Sequence, residues 1–155
     1  MTPRSLFVVA ECPTLLEARP YGLRLDLAPL LVLAQEESRP AVPFALVRAV
    51  ALVRERDLTS GLLLLPEGIT PRHVPGDCPD HCRTLLGWEI ERALATSQEG
   101  DRLILATALP EIASLIYATE ADGLYVTLVA PCIEALTNAL LVADRFVSAA
   151  SLYHA

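Results

Sequence analysis

The chain has 155 residues, an apolar fraction of 53% and a formal net charge of −7, with a mean hydropathy of +0.43. The apolar fraction and the hydropathy are both high for a soluble chain of this size, and part of the excess suits burial in an oligomer or partner interface. The twelve basic residues are all arginine and stand singly along the sequence, which excludes the clustered positive footprint of a nucleic-acid binder, a phosphate-gripping lysine and a Schiff-base lysine.

The length suits one domain over residues 1–155 with a sizeable core. No apolar run reaches the ~20 residues that span a bilayer. The opening stretch MTPRSLFVVAEC lacks the long apolar region of a signal peptide, so a cytoplasmic protein is expected. In that setting Cys12, Cys78, Cys82 and Cys132 are expected reduced.

Ser5 to Cys12 is an apolar, valine-bearing run and reads as a buried strand, followed by a turn or two of helix over Pro13 to Arg19. Leu23 to Leu27 alternates leucine with Arg24 and Asp26, the pattern of a half-exposed edge strand. Ala28 to Ser38 favours helix, with Asp26 near the cap and Pro29 in the first turn. Phe44 to Asp57 reads as a largely apolar helix, and Gly61 to Leu65 as a central strand. Pro79 to Thr96 is the best-marked helix, with a proline and Asp80 in its first turn and Gly100 beyond its end. A strand at Arg102 to Ala108, a helix at Pro110 to Ala121, a strand at Leu124 to Ala130 and a closing helix from Cys132 to about Ala150 complete the chain. His154 falls in a tail expected to fray.

Strands alternating with helices imply a three-layer α/β domain: a mostly parallel sheet of four to five strands with helices on both faces. The alternative is an α+β sheet with Leu23 to Leu27 as an antiparallel edge strand. Parallel sheets bind ligands outside the carboxyl ends of their strands. Glu11 and Thr107 lie at the carboxyl ends of the proposed strands, Glu67 and Glu111 just beyond them, and these are the candidate ligand-binding residues. Their carboxylates suit acid–base work or a hard cation, although acids at strand-to-helix turns also serve as caps.

His73, Cys78, His81 and Cys82, with Cys12 or Cys132 brought in by the fold, carry the atoms of a zinc site. Their spacing departs from the usual paired knuckles, and ordinary buried or loop roles are the simpler reading. Cys82 in a helix first turn is also placed for thiol chemistry. Trp88 reads as a core or interface anchor, and Glu89 and Glu91 beside it as a solvated face.

Three functions follow. The first is a non-catalytic assembly or regulatory module acting through an apolar interface, as a homo-oligomer or with a protein partner. It accounts for the apolar excess without asking for a catalytic signature. The second is a small enzyme or ligand-binding domain using the strand-end acids and thiols. The third is a metal- or thiol-responsive regulator centred on Cys78 and Cys82.

Overall fold

The computed structural model describes residues 4–37, 44–76, 79–118, 124–131 and 143–155. Its strands are β1 (Arg4–Glu11), β2 (Arg24–Asp26), β3 (Phe44–Val53), β4 (Leu63–Leu64), β5 (Thr70–His73), β6 (Arg102–Ala106), β7 (Tyr125–Ala130), β8 (Arg145–Ser148) and β9 (Tyr153–His154). Its α-helices are α1 (Cys12–Glu17), α2 (Ala28–Glu37), α3 (Glu55–Thr59), α4 (Pro79–Thr96) and α5 (Ile112–Ala118), and a 3-10 turn occupies Ala149–Leu152.

Six strands form one sheet in the order β5-β3-β1-β6-β7-β8, and every pairing in it is parallel. The fold is therefore α/β, with a sheet wider than the four to five strands expected. Numbered by chain order within this sheet, the strands run 3-2-1-4-5-6, so the winding reverses between β1 and β6.

The sheet is buried on both faces because its central strands are apolar at every step. Leu6, Val8 and Ala10 of β1 join a cluster with Leu15 and Leu16 of α1 and Leu30, Leu33 and Ala34 of α2. Phe7 and Val9 point the other way, into a cluster with Leu86, Ile90 and Ala93 of α4 and Ile112 and Ile116 of α5. A smaller sheet, β4-β2-β9, packs with the first cluster through Leu25, Leu63 and Tyr153.

Five expectations about these elements are corrected. Phe44 to Asp57 is not a helix: β3 takes its first ten residues, and only α3 beyond it is helical. Alanine, leucine and arginine favour helix locally, but pairing with β1 and β5 buries Ala49 through Val53. Gly61 to Leu65 is not a central strand, since only Leu63–Leu64 pairs, and it does so with β2 in the small sheet. Leu23 to Leu27 is correspondingly not an edge of the main sheet; β2 lies in the small one, parallel to β4 and antiparallel to β9.

The fourth correction concerns the closing helix. Residues 132–142 lie outside the described residues, but Arg145–Ser148 is a strand. Phe146 packs on one core cluster and Val147 on the other, the period of two that a strand imposes. The C-terminal tail is also ordered into β9, which pairs with β2 through Tyr153 and His154. The main sheet gains an unforeseen edge strand in β5, where Pro71 is tolerated because an edge strand need not use every ladder donor.

Candidate functional site

The ends of β1 and β6 meet where the winding of the sheet reverses. Glu11 closes β1 and caps α1: its Oε2 accepts the Thr14 backbone N–H at 2.7 Å, and Pro13 sits in the first turn, where a missing N–H costs nothing. Its Oε1 accepts the Thr14 hydroxyl and, at 2.7 Å, the Thr107 hydroxyl from just beyond β6. Each threonine oxygen also accepts a backbone donor from the β6–α5 turn. The Ala108 N–H donates to Thr14 Oγ1 at 3.1 Å, and the Leu109 N–H to Thr107 Oγ1 at 3.0 Å. Glu11 and Thr107 are completely buried.

Burial pushes the Glu11 carboxyl above its ordinary range, and the hydrogen bonds from Thr14 and Thr107 pull it part of the way back. The same environment acts on two thiols. Burial pushes Cys12, the first residue of α1, well up, with the Glu11 charge adding to the rise. Cys82, in the first turns of α4, is also raised by burial and by Glu11, against the buried Arg54 that follows β3 and lowers it by charge and hydrogen bonding. Both groups are held as neutral thiols, away from the thiolate that nucleophilic or metal chemistry requires.

The fold thus gathers Glu11, Cys12, Cys82 and Thr107 on one rim, together with Arg54, which the sequence did not single out. Glu111 lies between β6 and α5 as an exposed carboxylate, 3.6 Å from the Arg83 guanidinium of α4. Glu67 is elsewhere. It lies in an exposed turn after β4 and ahead of β5, so it precedes its strand of the main sheet rather than following it. His73 Nδ1 is 3.2 Å from the Glu55 carboxylate, and His81 Nδ1 bonds the Pro75 carbonyl oxygen at 2.8 Å. Cys78 and Cys132 lie outside the described residues. Among the described residues no group of three or more His, Cys, Asp or Glu side chains is placed to hold a metal ion. No helix among them is long and apolar enough to cross a membrane.

The sequence does not single out three carboxylates as buried: Glu37, Glu89 and Asp101, the last accepting the Ser5 and Gln98 N–H groups at 3.0 and 2.8 Å. Glu37, at the end of α2, accepts from Thr127 of β7 at 2.8 Å and from Arg102 and Arg145 at 3.4 and 3.3 Å, which pins α2 to the sheet. Glu89, expected on a solvated face, is buried and faces Arg48 of β3 and Arg72 of β5. Its position three residues after the buried Leu86 was the available signal; its arginine partners are remote in sequence. An open depression of about 740 Å³ lies between Gln98, Gly100, Leu124, Tyr125 and Asp144 at the amino ends of β6 and β7, away from the Glu11 rim.

No protein-family model matches the chain, and no curated protein matches it in sequence. Among solved structures it is similar to a crystal structure of a protein of unknown function from Vibrio parahaemolyticus, with a TM-score of 0.55 and 18% identity over 94% of this chain and 93% of that one. At that identity the likeness carries the fold alone.

Proposed function

We propose that this chain is a non-catalytic α/β module that works by assembly, with a second copy or with another protein. The observation that supports this reading is the Glu11 network. In sheets wound 3-2-1-4-5-6, ligands bind outside the strand carboxyl ends at the reversal point, where backbone N–H groups face their anionic parts. Here the chain's own carboxylate takes that place, and the N–H groups of Thr14, Ala108 and Leu109 are used internally. Val32, Leu46, Leu64 and Trp88 are exposed apolar side chains on four different elements, and the assembly reading takes Trp88 among them as a contact.

Light scattering on the purified protein, with thermal-shift titrations of NAD, ATP and inorganic phosphate, tests the reading. A mass above one chain, or a protein complex, is expected, with no saturable shift from the small molecules. A dilute monomer that binds one of them, and loses it in Glu11→Gln, would overturn the proposal.

A second reading has one observation in its favour. A carboxyl raised by burial at a reversal point, near Arg54 and Cys82, has the character of a proton donor. A small enzyme of this kind would lose turnover in Glu11→Gln while keeping substrate binding.

A further inference from the structure

Arginines from three elements converge on one carboxylate. The buried Glu89 of α4 pairs with Arg48 of β3 at 3.1 Å and with Arg72 of β5, while Arg92, one turn along the helix, stands 3.9 Å away. Three positive charges against one negative leave a cationic excess on a chain that is acidic as a whole. Arg72 also lies over the Trp88 ring, 5.8 Å from its centroid, a cation–π arrangement that holds both side chains. Trp88 is nevertheless 51% exposed, and the side chains of Arg48 and Arg92 are 41% and 57% exposed. Glu91, also exposed, projects about 60° from Trp88 on the side away from Arg92. Beside this cluster the β3–β5 ladder begins only at Val50 and Thr70, and Ala45, Leu46 and Arg48 are exposed ahead of it.

We infer that Trp88 with Arg48, Arg72 and Arg92 is a docking surface for an acidic, extended segment of a partner protein. The inference rests on the assembly reading and names its surface and partner chemistry. Tryptophan and arginine are the side chains that concentrate binding energy at interfaces. Glu89 holds two of the guanidinium groups in place beforehand, so less side-chain freedom is lost on binding. Charge selects the partner: this patch attracts acid, whereas the net charge of the remaining surface repels it. An extended segment suits the position because the outer edge of β3 runs alongside the cluster.

Trp88 is the only tryptophan in the chain, so its fluorescence reports the site directly. The probe is an alternating Glu–Val peptide, with an alternating Lys–Val peptide and an oligothymidylate as comparisons. The Glu–Val peptide should change the fluorescence saturably. Its affinity should fall about tenfold in Arg92→Glu, whose circular dichroism should be unchanged, and should fall further as salt screens the charges. The Lys–Val peptide should not bind. No response to the Glu–Val peptide, equal affinity in Arg92→Glu, or a response to oligothymidylate instead would overturn the inference. Light scattering on the same samples separates the two claims. Self-assembly with a silent Trp88 sinks this surface and leaves the assembly reading standing, whereas a monomer with a silent Trp88 that binds NAD, ATP or phosphate, and loses it in Glu11→Gln, sinks both.

Discussion

Thr107 and Glu11 stand 96 positions apart and share a hydrogen bond of 2.7 Å inside the protein. That bond joins the end of β6 to the end of β1 where the sheet changes its direction of winding. It satisfies a carboxylate that burial would otherwise penalise heavily, and it does so at the position where similar sheets receive ligands.

Thr107→Val keeps the shape and removes the donor. It should destabilise the protein by about 1–3 kcal/mol, because the buried Glu11 loses a partner. The penalty should depend on pH. Burial holds the folded-state pKa of Glu11 above its unfolded value, so this group's contribution is fully present below the unfolded pKa and is lost as pH rises through the folded one. Losing the Thr107 bond raises the folded pKa further. Urea unfolding should therefore show a larger deficit near neutral pH than in mild acid, and the reverse trend would contradict the assignment.

Tyr153 ties the C-terminal strand to α1 by donating its hydroxyl to the Leu15 carbonyl oxygen at 2.7 Å. Tyr153→Phe should cost about 1 kcal/mol and leave the fold intact. Burial pushes the phenol up to about 12 from an ordinary value of 10. Its contribution is present below pH 10 and is lost as pH rises towards 12, so the wild type should lose its advantage over Tyr153→Phe across that window. Spectrophotometric titration of tyrosinate should show one late-titrating group that Tyr153→Phe lacks.

Glu37 anchors the end of α2 against Thr127, Arg102 and Arg145. Glu37→Ala removes the acceptor of the buried Thr127 hydroxyl and the anion facing the Arg102 and Arg145 guanidinium groups, and should cost about 3 kcal/mol in urea unfolding. Glu37→Gln keeps an acceptor for Thr127 and should cost clearly less. Equal losses in the two variants would show that packing at this position, not its charge, fixes α2.

Cys12 and Cys82 are buried and held as thiols. In a Cys78→Ser/Cys132→Ser background they are the remaining cysteines. An aromatic disulfide reagent at neutral pH should modify them at the rate of unfolding in native buffer and at once in denaturant. Fast modification of the native protein would show that Cys82 is open to the rim and would revive the thiol-based reading.

The legible parts of the fold were those whose signals are local. The proline and acid that start α4, the Asp26 side chain that accepts the Ala28 N–H, and the short, mostly aliphatic runs of β1, β6 and β7 act within a few residues of themselves. The opposite holds for β3. Its composition is equally good for a helix, and only the two neighbouring strands that bury it decide the matter. The leucine run at Gly61 to Leu65 is ambiguous for the same reason: hydrophobicity demands burial but does not name the sheet that provides it.

At the rim, the strand pattern alone puts Glu11 and Thr107 at strand ends, because position along the chain follows from that pattern. Tertiary structure alone decided that they touch, and that Glu67 belongs to a different place. Whether two strand ends are neighbours depends on strand order, which is a property of the assembled sheet. The arginines facing Glu37 and Glu89 were hidden for a related reason: a charge is written in the sequence, but its partner is chosen by folding across distances that no local pattern records.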